Sequence, residues 1–242
     1  MTAGTIYGVG LGPGDLDLLS VKSDRLVRNA KHVAFFRKAG RKGQARQIAE
    51  PILLKDAIEF AMEYPVTTEI PVGDPRYNEI LSAFYEDCAV HLRVLAQSGE
   101  DVVVLCEGDP FFYGSFMHMY ERLKNDVHVD VVPAITGMSG AWTATGHPIT
   151  WGDDVLTVLM GTLPEDELSR RMADTDALVV MKIGRNIDKV RAALRTAGKF
   201  YHAWLVEFAT MPNQTVSKLS DAGDKVTPYF SIIVVHGHGR RP

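Results

Sequence analysis

At 242 residues, with 46% hydrophobic and 23% charged side chains, the chain is long enough for two modest domains or one large one and has the apolar content for a folded core. That excludes a disordered or low-complexity protein, and a net charge of −4 gives no general attraction to nucleic acid, so an anionic partner has to be met by a local basic patch. The first seven residues lack a basic start, no apolar run reaches membrane-spanning length, and two cysteines, Cys88 and Cys106, are too few for a disulfide framework. A cytoplasmic protein without a signal peptide or a membrane partner is expected.

Taken in chain order, the first half reads as strand, loop and helix, repeated. Residues 6–9 form a short strand, and Gly10-Leu-Gly-Pro-Gly-Asp15 is a glycine turn leading into a helix over 18–30. The turn has the spacing G-x-G-x-G-P-G-D, not G-x-G-x-x-G, so an ordinary dinucleotide turn is disfavoured. Strands follow at 32–36, 52–54, 102–106 and 129–132, with a long amphipathic helix over 77–97. Residues 102–106, Val-Val-Val-Leu-Cys, show no polar alternation, which is how a strand buried on both faces of a parallel sheet reads. Five strands alternating with helices predict a parallel five-stranded sheet with right-handed crossovers.

After Pro133 the texture changes to small residues, from Ala134 to Gly146, and a domain boundary is placed within 133–152: an N-terminal α/β domain over 1–136 and a C-terminal mixed α/β domain over 137–242. Strands are expected there at 156–160, 177–181, 204–208 and 231–236, and helices at 165–173 and 187–196. The small-residue segment 134–146 also offers a contact surface between copies.

Glu107-Gly-Asp-Pro110 sits at the carboxyl end of the buried strand, where open α/β sheets bind small molecules. Gly108 lets backbone approach a ligand, Asp109 can accept from hydroxyls or amines, and Pro110 fixes the turn. A strand-to-helix turn without a ligand explains the same residues. Arg37, Lys38, Arg41, Lys42 and Arg46 form a run of cations with no acid between them, which reads either as a solvated loop or as a site for a polycarboxylate, since arginine pairs with carboxylate in a bidentate way. The eight histidines show no metal-ligand spacing, no metal is expected, and His236 and His238 read as exposed.

Read together, Val9-Gly-Leu-Gly-Pro-Gly-Asp15, Glu107-Gly-Asp-Pro-Phe-Phe-Tyr-Gly114, Val132-Pro-Ala-Ile-Thr-Gly-Met-Ser139 and Ser231-Ile-Ile-Val-Val235 resemble, in order and spacing, the loops of the tetrapyrrole methyltransferases. Within that family, Cys106 to Met117, Met181-Lys-Ile-Gly184 and Val206 to Gln214 resemble the branch that acts on precorrin-2. The resemblance implies a two-domain homodimer with its active-site cleft between the domains. It further implies transfer of a methyl group from S-adenosylmethionine to the C20 meso carbon of precorrin-2 on the way to cobalamin. Cobalt-factor II is the alternative tetrapyrrole substrate.

By the same resemblance, Pro13, Glu107, Gly108 and Asp109 line the cofactor, Phe112, Thr136 and Gly137 continue its pocket, and Lys182 and Ala209 reach the nucleoside end. Lys182 departs from the apolar residue of related branches, and a lysine is unfavourable beside a sulfonium, so its backbone is the part expected to contribute. Arg37, Lys38, Arg41 and Tyr113 are the candidates for the tetrapyrrole. Some relatives carry an aspartate just after the second strand. This chain has Phe36 there, and no general base is assigned. Two other classes explain part of the pattern. A nicotinamide-dependent oxidoreductase accounts for the first glycine turn but not for Gly108 to Gly114, and a non-catalytic tetrapyrrole-binding module accounts for the basic run but leaves a donor pocket without purpose.

Overall fold

The computed structural model describes residues 3–67, 70, 74–223 and 226–241, and the chain divides into two compact units, Met1–Thr136 and Gly137–Pro242. The first unit runs β1 (Thr5–Gly10), α1 (Val21–Arg28), β2 (His32–Lys38), α2 (Gln44–Ala49), β3 (Ile58–Tyr64), α3 (Pro75–Gln97), β4 (Val102–Cys106), α4 (Phe116–Leu123) and β5 (His128–Val132). Its five strands are all parallel, in the order β3-β2-β4-β1-β5. β4 is central, and Val102 lies opposite both Ile6 of β1 and His32 of β2.

The unbroken apolar run of β4 follows from this position. Val102, Val104 and Cys106 enter one core with Leu92 of α3 and Phe116 and Met119 of α4; Val103 and Leu105 enter another with Val27, Val33 and Phe35. A strand covered on both faces has no solvent side on which to place polar residues. Burying each of these larger side chains contributes about 1.5–3 kcal/mol. α3 starts at Pro75, behind an Asp74 carboxylate that accepts from the Arg76 N–H, and buries Tyr85, Cys88, Ala89, Leu92 and Ala96 at helical spacing.

Two expectations fail in this unit. The helix expected over 18–30 is split: a 3₁₀ turn at Leu16–Leu18 is capped by Asp15, and α1 begins only at Val21, with the Ser20 hydroxyl accepting from the Ser23 N–H. Two capping side chains five positions apart, Asp15 and Ser20, compete with one continuous helix. The strand expected at 52–54 is also misplaced: Glu50–Ile52 is a 3₁₀ turn containing Pro51, and the third strand is Ile58–Tyr64. That edge strand carries glutamates at 59 and 63, which hide its apolar alternation.

The second unit runs α5 (Gly137–Ala144), β6 (Leu156–Met160), α6 (Glu165–Ala173), β7 (Ala177–Met181), α7 (Ile187–Thr196), β8 (Ala203–Glu207), β9 (Thr215–Lys218) and β10 (Ser231–Val235). Its sheet, ordered β6-β7-β10-β8-β9, is mixed: β6 and β7 are parallel, while β10 runs against β7 and β8, and β9 against β8. One face packs Leu178, Val180, Leu205 and Ile233 against Leu168 and Met172 of α6 and Val190 and Leu194 of α7. The other packs Val206 and Val234 against Ala141 of α5. Gly140 and Ala141, in the segment read as a contact between copies, are therefore buried within the unit itself. β9 was not expected, because a four-residue polar edge strand carries almost no apolar signal. His236 was expected on the surface and is buried; His238 is exposed.

Candidate functional site

In the first unit the connection from β1 leads through α1 to β2, and the connection from β4 leads through α4 to β5. The two leave neighbouring strands in opposite directions, and α1 and α4 belong to cores on opposite faces of the sheet. The carboxyl ends of β1 and β4 thus form the topological switch point, the position at which open α/β sheets bind ligands. The two glycine loops meet there. The Gly108 N–H donates to the Gly12 carbonyl at 2.9 Å and the Gly12 N–H to the Gly108 carbonyl at 3.3 Å, an isolated antiparallel bridge. A Cβ on Gly10 would lie 2.5 Å from the Ala134 methyl and 2.8 Å from the Gly108 carbonyl oxygen, so the approach requires glycine. Gly108 has φ +63, the left-handed region that glycine enters without cost. Pro13 is buried beside this pair.

The two acids of the loop have different tasks. Asp109 holds the loop together: one carboxylate oxygen accepts from the Phe111 N–H at 2.9 Å and the other from the Ala134 N–H at 3.0 Å, tying the loop after β4 to the loop after β5. The Glu107 carboxylate accepts from the Ala45 N–H of α2 at 3.1 Å. Desolvation by the surrounding protein raises its pKa above the usual carboxylate value, and the Ala45 N–H offsets part of that rise; the residue still keeps an exposed surface. Cys106 beneath it is buried, and desolvation, reinforced by Glu107 and Asp109, pushes its thiol well up; burial pushes Cys88 to about 12. Neither thiol is a nucleophile at neutral pH.

Phe112 is half-buried and its ring meets that of Tyr113 edge-on at 4.9 Å. Tyr113 is exposed and has φ +55. Behind the loop, Phe36 stacks on Tyr64 at 5.5 Å, and the Tyr64 hydroxyl hydrogen-bonds Ser115. Phe36 is thus part of an aromatic wall with Phe84 and Tyr85. Sequence reading did not single out Tyr64 or Ser115.

The basic run is partly neutralised in space. Arg37 pairs with Glu63 at 3.0 Å, Arg46 with Glu59 at 2.8 Å, and Lys42 with Glu50 at 3.9 Å. The acids that the sequence lacked between these cations come from β3 and the turn after α2. Lys38 is exposed, and Arg41 is exposed and makes no ion pair among the described residues.

Thr136, half-buried, closes the first unit, and Gly137 opens α5, where a Cβ would meet the Ile232 side chain at an ordinary 3.6 Å. Lys182 follows β7 and Ala209 follows β8, and the pairing of β10 with β7 and β8 brings both strand ends to the same end of the second sheet. Lys182 has φ +53; Phe208 and Thr210, on either side of buried Ala209, have φ +53 and +66. With Tyr113 these are all the non-glycine residues of positive φ among the described residues, and every one lies in a candidate loop. Such conformations cost of order 1–3 kcal/mol each and collect at functional sites. They are held by the Phe208 N–H donating to the Phe230 carbonyl at 2.8 Å and the Thr210 N–H to the Gln214 side chain at 2.7 Å. Phe208 and Thr210 lie within the run Val206 to Gln214 but were not named as site residues, because neither is a glycine or asparagine that would mark a left-handed turn. Among the described residues, no group of three His, Cys, Asp or Glu side chains is arranged to hold a metal ion, and no helix is long and apolar enough to cross a membrane.

Comparison with known proteins bears on this geometry. The chain is 46% identical over 239 residues to a precorrin-2 C(20)-methyltransferase of Sinorhizobium sp, covering 99% of this chain and 98% of that one. It is 24% identical over 240 residues to the cobalt-precorrin-2 C(20)-methyltransferase of Salmonella typhimurium, with 96% of each chain covered. A crystal structure of uroporphyrin-III C-methyltransferase from Thermus thermophilus, complexed with S-adenyl homocysteine, shares the fold at a TM-score of 0.66 and 23% identity, covering 96% of this chain and 97% of that one. Residues 5–222 match the family model for tetrapyrrole (corrin/porphyrin) methylases, and the chain belongs to that family.

Proposed function

We propose that this protein transfers a methyl group from S-adenosylmethionine to the C20 meso carbon of precorrin-2 in cobalamin biosynthesis, acting as a cytoplasmic homodimer with residues 1–136 and 137–242 as its two domains. The observation that carries the substrate is the near-full-length match to the Sinorhizobium enzyme, against a much weaker one to the cobalt-precorrin-2 enzyme.

The residues present suit the donor. S-adenosylmethionine is a cation with an ammonium group, and it calls for acceptors and close backbone approach. Glu107, with its raised pKa and accessible surface, gains from a cation beside it. Gly10 keeps a Cβ atom out of the switch point, and Gly108 gives the loop its left-handed turn there. Bound there, the donor supplies an electrophilic methyl group and leaves as a neutral thioether. Asp109 fixes the shape of the loop, and Phe112, Thr136, Gly137, Lys182 and Ala209 are assigned to the same donor, Lys182 through its backbone. Arg37, Lys38, Arg41 and Tyr113 are assigned to the tetrapyrrole, whose acetate and propionate groups are carboxylates. Holding donor and acceptor in line supplies up to about 7–11 kcal/mol of the barrier lowering, so a strong protein base is not required.

The test uses purified protein, for which light scattering should give twice the chain mass, supplied with S-adenosylmethionine and either precorrin-2 or cobalt-factor II. Precorrin-2 is expected to gain one methyl group and S-adenosylhomocysteine to accumulate in equal amount. A higher turnover on cobalt-factor II would reassign the substrate, and no transfer to either would overturn the reading.

A further inference from the structure

The second unit contains a recess that none of the candidate residues enters. A cavity of about 130 Å³ is lined by His147, His202, Trp204, Lys218, His236 and His238. Trp204 is the second residue of β8, Lys218 ends β9 and His236 follows β10, and the strand register places them together. Lys182 and Ala209 follow the other ends of β7 and β8, so the recess lies about 15 Å away along the strands.

Its walls carry cations and potential cations, and no carboxylate. The Lys218 ammonium sits 3.9 Å over the Trp204 ring, and the His147 ring lies 5.5 Å from Trp204 and 5.4 Å from His236; His202 and His238 are 6.1 Å apart. Asp154, close to the Gly237 and Gly239 backbone, is engaged by the N–H groups of Trp151 at 2.8 Å and Gly239 at 3.3 Å.

The hydrogen bonds around buried His236 make its charge state a matter of one hydroxyl rotation. Its Nδ1 lies 3.0 Å from the Pro148 carbonyl, which can only accept, so Nδ1 carries a hydrogen. Its Nε2 lies 3.0 Å from the Thr145 hydroxyl, which itself donates to the Trp142 carbonyl at 2.6 Å. With that hydroxyl hydrogen committed, Nε2 must donate too, and a ring with two N–H groups is an imidazolium. The neutral ring is accommodated only if Thr145 turns its hydrogen away from Trp142. The His147 Nδ1 donates to the Thr145 carbonyl at 2.7 Å.

We propose that this recess binds a small oxyanion, a tetrahedral dianion or a carboxylate, together with a proton at His236. Burial disfavours the charged ring, the Pro148 carbonyl favours it, and His147, Lys218 and His238 oppose it again. An anion set among those cations removes the last of these effects, so proton and anion bind cooperatively.

Calorimetric titration of the full chain with sulfate, whose own charge is constant, is the test. Burial is the leading effect and lowers the pKa of the free His236 ring, and the anion raises it again, so affinity is expected to fall about tenfold between about pH 5 and about pH 8. Lys218→Met should weaken sulfate binding at both pH values, and His236→Gln should flatten the pH dependence while sulfate still binds. Affinity for S-adenosylhomocysteine should be the same in parent and variants. Acetate as the probe identifies a carboxylate as the natural ligand class if it binds more tightly than sulfate. Unchanged sulfate affinity in Lys218→Met, equal affinity at both pH values in the parent, or zinc binding without sulfate binding would overturn the proposal.

Discussion

The Glu107 carboxylate sits where two demands conflict: the surrounding protein disfavours its charge, and a cationic donor would require it. Its folded-state pKa is raised, with desolvation the leading cause. A carboxyl raised on folding adds stability that is fully present below its unfolded pKa, about 4.3 for glutamate, and is lost as pH rises through the folded value. Glu107→Gln keeps an oxygen to accept from Ala45 and removes the charge. The variant should therefore be more stable than the parent above the raised pKa, and the gap should close below about pH 4. The exposed surface of Glu107 lets water screen the effect, so the gain is about 0–1 kcal/mol. Thermal denaturation of both proteins on either side of that window checks it. A gap that widens toward acid would contradict the assignment of desolvation as the main cause.

At the scale of elements, the loop after β4 passes through the left-handed region at Gly108, which allows a clean comparison. Gly40 has φ +68, close to the +63 of Gly108, but an added Cβ there meets nothing within 4 Å, and the residue lies in the exposed turn after β2. Alanine in the left-handed region costs about 1–2 kcal/mol at either place. Gly40→Ala and Gly108→Ala should therefore lose similar stability, while Gly108→Ala alone should lose affinity for S-adenosylhomocysteine. Equal affinities would move the donor away from this loop. The same comparison shows what was legible in the sequence. β4, β7, α6 and α7 were read with their observed bounds because continuous apolar runs and helical spacing announce buried elements, and β6, though at the sheet edge, because its residues Leu156 to Met160 are apolar but for one threonine. β9 and the true β3 were not, because edge strands carry polar residues on an open side. Glycine made the β1 and β4 loops visible, whereas the strained turn around Ala209 has no such marker and owes its shape to the Phe230 carbonyl and the Gln214 side chain.

For the whole molecule the question is how a chain of net charge −4 holds a polycarboxylate. Distant charges repel such a ligand but are screened beyond about 10 Å at 0.1 M salt, so the local field decides. In sequence that field reads as five unopposed cations. In space Arg37, Lys42 and Arg46 face Glu63, Glu50 and Glu59, and a carboxylate of the substrate has to compete with a protein carboxylate already in place. Arg41 has no such competitor among the described residues, which makes it the stronger candidate for direct contact, ahead of Arg37. On the proposed function, Arg41→Ala should raise KM for the tetrapyrrole more than Arg37→Ala does, and leave the affinity for S-adenosylhomocysteine nearly intact. Because Arg41 is exposed, its contact is worth about 0–1 kcal/mol, up to a fivefold change in KM. Raising salt from about 0.05 to about 0.5 M should raise KM in the parent and do so less in Arg41→Ala, since screening weakens exposed pairs. Removing Glu63 gives the opposite sign: Glu63→Gln frees Arg37 and should lower KM at low salt. Steady-state kinetics of the three variants across that salt range decides the matter. If KM is unmoved in all of them, the run 37–46 is a solvated loop and the carboxylates are held elsewhere.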